Sequence, residues 1–209
     1  MRALSLITAC ALFGATAAAY ASPYVVTIEQ VGSDVVATGS GNVDLTGLTL
    51  FQSGVGFVDV IDATHGLIDL STLTTGGSIF NGTISGPTNF GPGTGGLTFA
   101  SSSSGPIVGF AATEPSPLNR DLRISSSYVS DSALGTSTDT FDSATLASLG
   151  LTPGTYQWTW GTGADQSFTI QIIGTVSSVP LPGALPLFAT GLAGLGLLGW
   201  RRKKKAIDA

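Results

Sequence analysis

His65 is the only histidine of the chain, with Asp62 three residues before it and Asp69 four after. A histidine, a carboxylate and one of the many serines are the parts of a nucleophilic hydrolase, in which the imidazole takes the hydroxyl proton and the carboxylate orients the ring. A lone histidine between Thr64 and Gly66 reads more simply as a turn residue, and no G-x-S-x-G elbow accompanies it. Asp59, Asp62 and Asp69 lack the alternating acidic spacing of a calcium loop. Gly91-x-Gly93-x-x-Gly96 matches the dinucleotide fingerprint as a string, yet Leu97-Thr98-Phe99-Ala100 and a serine run follow it. With no helix N-terminus to present to phosphate, it reads as a loop. Asn81-Gly82-Thr83 has the pattern of a glycosylation acceptor. Tyr156, Trp158 and Trp160 alternate with Gln157 and Thr159 and share one strand face. Exposed, that face would be a stacking platform for the sugar rings of a polysaccharide; buried, it is core, and the apolar area of three rings favours the core. The expectation is a protein without catalytic residues, cofactor or metal.

The elements that carry these residues read as strands. Gly, Ser and Thr recur every few residues, Val, Ile, Leu and aromatics come in short alternating runs, and almost nothing has helical period. The expected class is all-β, a single antiparallel β-sandwich-like ectodomain with one short helix. Tyr24 to Ile28 and Asp34 to Ala37 make a first pair joined around Gly32-Ser33, and Val43 to Phe51 makes a third strand broken at Gly47. Ile79-Phe80, Leu97-Thr98-Phe99 and Ile107 to Phe110 offer short strands in a middle region dominated by glycine and serine. Asp142 stands where it would cap a short helix over Ser143 to Ser148, with Gly150 as its C-cap and Pro153-Gly154 turning the chain into a strand. Tyr156, Trp158 and Trp160 then pair with Phe168, Ile170 and Ile172 in a hairpin.

Both ends carry targeting patterns. Met1-Arg2, an apolar stretch from Ala3 to Ala18, and Ala19-Tyr20-Ala21 fit a signal peptide over residues 1–21, cleaved after Ala21 under the small-x-small rule set by Ala19 and Ala21. Ile7-Thr8-Ala9-Cys10 loosely resembles a lipoprotein box, but the apolar stretch before Cys10 is short for one. Cys10 is the only cysteine and leaves with the signal peptide, which excludes disulfides and thiol chemistry from the mature domain. Residues 22–178 form the expected ectodomain. Twelve of the thirteen acidic residues and only Arg120 and Arg123 of the eight basic ones fall in it, a net charge of −10. Such a balance excludes nucleic acid as a natural partner.

The last thirty residues run from Val179-Pro180-Leu181-Pro182-Gly183 through a charge-free apolar stretch, Ala184 to Trp200, to Arg201-Arg202-Lys203-Lys204-Lys205, with residues 206–209 as a tail. An apolar helix over 184–200 is about 26 Å long, near the lower limit for crossing a hydrocarbon core of about 30 Å. Trp200 would sit at the headgroups, and the five cations would hold the C-terminus in the cytoplasm. Glycines at 191, 194, 196 and 199 weaken such a helix; Ala189 and Ala193 make a small-xxx-small pair that suits helix dimerisation. The prolines leave an extended strip just outside the bilayer for a protease to grip.

Motif, apolar helix and basic end together resemble the PEP-CTERM class of sorting domains, in its Val-Pro-Leu-Pro-Ala variant. The resemblance implies recognition by an exosortase, an intramembrane cysteine-type transpeptidase, with Pro180, Leu181 and Pro182 as recognition residues. It further implies a Gram-negative, exopolysaccharide-producing host in which the ectodomain, anchored at first in the inner membrane, is released or transferred to the cell surface or extracellular matrix. Leu181 stands where the main class has Glu, and Gly183 where the variant has Ala. A permanent single-span anchor is the alternative to processing. Asp131 through Ile172, including Thr145 to Gly150 and Gly154 to Trp160, also resembles a segment recurring in ectodomains that carry this tail; it implies no chemistry. Three roles stay open at this point: a non-catalytic matrix protein, a carbohydrate-binding module that uses Tyr156, Trp158 and Trp160, and a hydrolase that uses His65.

Overall fold

The computed structural model describes residues 22–70, 75–92, 96–113 and 120–174. The expected signal peptide (residues 1–21), the expected sorting motif from Val179 to Gly183, the apolar run and the residues Trp200 to Lys205 lie outside the described residues. Among the described residues no helix is long and apolar enough to cross a membrane.

Among the described residues thirteen strands follow one another: β1 (Tyr24–Val31), β2 (Asp34–Ser40), β3 (Leu48–Gly56), β4 (Val60–Asp62), β5 (Leu67–Leu70), β6 (Thr75–Gly82), β7 (Thr98–Phe99), β8 (Ser102–Ser104), β9 (Val108–Ala111), β10 (Asp121–Ser125), β11 (Ser137–Phe141), β12 (Gly154–Thr159) and β13 (Ser167–Ile173). They form a six-stranded sheet in the order β12-β13-β1-β2-β11-β8 and a seven-stranded sheet in the order β3-β6-β10-β9-β5-β4-β7. The described residues are therefore all-β, with the two-sheet arrangement of a β-sandwich. Pairing is antiparallel except between β1 and β13, which run parallel from Tyr24↔Phe168 to Glu29↔Ile173.

Alternation decides which side chains meet between the sheets. Tyr24, Val26 and Ile28 of β1, Val35 and Ala37 of β2, and Phe168, Ile170 and Ile172 of β13 turn inward. Ile68 and Leu70 of β5, Val108 and Phe110 of β9, and Leu122 and Ile124 of β10 answer them from the other sheet. Phe110 is central: its ring lies 4.7 Å from Trp158 and 5.5 Å from Phe168, which stacks in turn on Tyr24 at 5.7 Å. Each such pair adds about 0.5–1.5 kcal/mol beyond the area it buries. The opposite face of the seven-stranded sheet has its own small apolar clusters, Phe57 with Ile79 and Ile107, and Val60 with Leu67 and Ala111.

Two local expectations need correction. The short helix over Ser143 to Ser148 is absent. Ser143 takes a positive φ of 53° and gives its amide to Asp34 Oδ1 at 2.8 Å, so Asp142 caps nothing in that stretch. Thr145 and Ser148 instead cap each other, Ser148 N on Thr145 Oγ1 at 3.0 Å and Thr145 N on Ser148 Oγ at 2.8 Å. A single turn follows, closed by Gly150 N on Ala147 O and Leu151 N on Leu146 O, the bonding pattern of a Schellman end. Gly150 has the positive φ (68°) expected of its place. The terminator is present, but one turn is too short to propagate as a helix. The third strand also starts later than expected: Val43 is buried in a loop, and β3 runs only from Leu48, after Gly47.

Candidate functional site

Arg123 is one of two arginines between residues 22 and 178, and it sits in a strand between two core residues, Leu122 and Ile124. Alternation turns it to the face of the seven-stranded sheet away from the sandwich interior, the face that also holds Asp69 and Asp121. Its Nη1 lies 2.5 Å from Asp69 Oδ2 and its Nε 2.9 Å from Asp121 Oδ1. The guanidinium also covers the Phe57 ring, 5.4 Å from its centroid. Asp69 and Arg123 are not on neighbouring strands: each is in register with Gly109 of β9, one from either side. A Cβ on Gly109 would collide with Asp69 Oδ1, so glycine is what lets the ion pair reach across the intervening strand.

Burial dominates the electrostatics of this cluster. Desolvation pushes Asp69 up to about 6 although Arg123 opposes the shift, and the Asp121 and Asp59 charges push the same way as burial. Asp69 Oδ1 accepts no hydrogen bond, which leaves half of the carboxylate uncompensated. Arg123 is raised: desolvation works against its charge, and Asp69 and Asp121 outweigh that. A guanidinium held by two carboxylates and capped by a ring has no free fork for a substrate anion, so this cluster joins strands.

The residues singled out in the sequence are dispersed. His65 and Asp62 do pair, Nδ1 to Oδ2 at 2.8 Å. Asp62 also accepts the amides of Thr64 and His65, so the carboxylate organises the turn between β4 and β5. No serine hydroxyl among the described residues hydrogen-bonds the His65 ring, and two members of a triad without the nucleophile make a turn lock. Asp59 receives the Ser103 hydroxyl, Asp62 faces His65 and Asp69 faces Arg123, so the three carboxylates do not converge. No cluster of three metal-ligating side chains occurs among the described residues. Gly91 packs its backbone against Gly150, Gly93 lies outside the described residues, and Gly96 leads into β7. Asn81 is in β6, opposite Asp121.

The three aromatic residues are divided by their surroundings. Trp158 is 0 % exposed and donates Nε1–H to Pro87 O at 2.7 Å. Trp160 is also buried and donates to Asp44 O at 2.8 Å. Tyr156 is half-buried, edge-on to Phe90, with its hydroxyl on Thr152 O at 3.0 Å. Indoles in the core with their N–H groups satisfied offer no stacking face, so Tyr156, Trp158 and Trp160 do not form a sugar platform.

Sequence reasoning missed the Asp69–Arg123–Asp121 cluster and a loop pinned by Tyr128. The Tyr128 hydroxyl accepts Val43 N–H at 2.8 Å and lies 2.9 Å from the carbonyl oxygens of Val43 and Ser132. A lone arginine in an apolar strand was a readable sign of the first. The second joins residues 85 apart and had none. Comparison with known protein families, with curated proteins and with solved structures finds no match for this chain.

Proposed function

We propose that this is an exported protein of the cell surface or extracellular matrix, delivered by its own two termini and processed at the second by an exosortase-type transpeptidase. The observation that carries the reading is the uninterrupted order of Val179-Pro180-Leu181-Pro182-Gly183, the apolar run 184–200 and the cations 201–205. Each part has a physical task. The prolines hold an extended strip that a transpeptidase can grip. The apolar run crosses the inner membrane with little length to spare. Trp200 and the cations Arg201, Arg202, Lys203, Lys204 and Lys205 fix the orientation, with the C-terminus cytoplasmic.

The ectodomain's role is that of a folded component of an extracellular, polysaccharide-rich layer, without catalysis of its own. Its composition supports this: a cysteine-free mature domain needs no oxidative folding, and a net charge of −10 keeps it soluble and off nucleic acid. A core of stacked aromatics joining two sheets supplies stability without disulfides.

Fractionation of the native host tests the assignment. The chain is expected in the outer-surface or extracellular fraction when the transpeptidase is present and in the inner membrane when it is deleted. Inner-membrane residence in both strains would leave a permanently anchored protein and remove the matrix role.

A further inference from the structure

Where residues 126–136 cross from β10 of one sheet to β11 of the other, the surface opens into a cleft of about 260 Å³. Its walls are of two kinds: the carbon surfaces of Pro106, Tyr128 and Leu134, and the hydroxyls of Ser125, Ser127 and Ser132. Val129, 69 % exposed, forms the lip. Hydrogen bonds to Gly41, Asn42 and Val43 hold the frame. Beside the Tyr128 hydroxyl bonds, Asp131 N donates to Val43 O and Leu134 N to Gly41 O, each at 3.0 Å. Ala133 bridges Asn42 in antiparallel fashion. A ligand entering such a cleft has little ordering entropy to overcome.

The lining narrows the ligand's chemistry. No charged side chain lines the cleft, although the ectodomain carries a net charge of −10. Ligands held by ion pairs, such as phosphates, carboxylates or polyamines, therefore find no counter-charge there. Ser125 Oγ and Ser127 Oγ are exposed and bonded to each other at 3.0 Å. Each hydroxyl both donates and accepts, so they can turn to a neutral hydroxylated ligand at small cost. The Tyr128 hydroxyl is engaged by the backbone, so what it offers is its ring. At about 260 Å³ the cleft falls below the roughly 300–1,000 Å³ of sites that enclose a drug-sized molecule. It suits a single ring of a longer chain lying across it.

The geometry points to this cleft as a binding site for one neutral pyranose unit of a polysaccharide, its C–H face on Tyr128 and Pro106 and its hydroxyls on Ser125 and Ser127. The inference rests on the extracellular reading above for the presence of such chains, and on the lining alone for the site.

The test is a titration of the full, isotope-labelled chain, held in a zwitterionic detergent free of sugar, with glucose, galactose and mannose in turn, followed by amide NMR shifts. At least one sugar is expected to produce saturable shifts concentrated in residues 125–134. Ser127→Trp, which fills the cleft from an exposed position, is expected to abolish them with the rest of the spectrum unchanged. A Ser125→Ala, Ser127→Ala double variant, which leaves the cleft open, is expected to weaken them several-fold. Absence of saturable shifts with all three sugars, shifts that survive Ser127→Trp, or saturation of the same residues by a proline-rich peptide instead would each overturn the inference. The sorting assignment is judged separately, by where the chain ends in its host, so failure of the cleft leaves that result untouched.

Discussion

Asp69 is a fully buried carboxylate with one ion-pair partner and one oxygen without a hydrogen bond, and its titration works against the fold at neutral pH. Its folded-state value, about 6, lies above the ordinary 3.8. The folded state therefore binds the proton more tightly than the unfolded chain, and the stability gained from protonation is full below the ordinary carboxylate range and lost as pH rises through about 6. From this group alone, the domain is expected to be more stable at pH 4.5 than at pH 7.5, by about 2 kcal/mol, and to melt at a correspondingly higher temperature. Asp69→Asn keeps the volume and removes the charge, so thermal melts of this variant should show a flatter pH profile; an unchanged profile would place the titration elsewhere. Arg123→Met has the opposite character. It leaves Asp69 and Asp121 buried beside each other without their cation, and chemical denaturation should show a loss of about 3–5 kcal/mol at neutral pH. The sequence displays Arg123 as an oddity between Leu122 and Ile124, but not its partner. Asp69 is 54 residues away, and only the register of both strands on Gly109 joins them.

At the scale of elements, alternation is legible wherever one strand face is buried and the other is not. β1, β2 and the second half of β13 follow that rule, and their inward residues can be named from pattern alone; Ser167 to Ile170 of β13 are buried on both faces. β5 and β9 are buried on both faces, so no alternation marks them. β10 is hidden by the ionic pair Asp121 and Arg123 on its outer face, and the parallel docking of β13 on β1 joins segments that no local signal connects. The segment 142–151 misleads because its terminator at Gly150 is real, while Asp142 caps nothing and the body between them is a single turn. The reciprocal Thr145–Ser148 bonds are the device that holds that turn, and Ser148→Ala is expected to cost about 1 kcal/mol in denaturant melts. The core hairpin contributes more: Trp158→Ala should cost about 3–5 kcal/mol. In a Trp200→Phe background, the emission of Trp158 and Trp160 should be blue-shifted and resist iodide quenching, because both indoles are buried. Indoles quenched as readily as free tryptophan would contradict the core placement.

At the scale of the whole molecule, fold and address are separate kinds of information. The fold is held by pairings distant in sequence, and class and hairpins are its readable part. The proposed address is local and linear, a motif, an apolar run and a cluster of cations next to one another in the sequence. The cleft at loop 126–136 shares in both: seven of its eight lining residues fall between Ser125 and Leu134, while the bonds that hold this run reach back to Gly41, Asn42 and Val43. The assignment of this protein to the cell exterior stands on the C-terminal address, and the intact mass of the mature protein from its own host, with and without the transpeptidase, tests that most directly. The expected result is a chain that begins at Ser22 and ends within Val179 to Gly183, bare or joined to an added group, which becomes a chain running to Ala209 when the transpeptidase is deleted. A mass extending to Ala209 in both strains would contradict processing, and the extracellular assignment would fall with it.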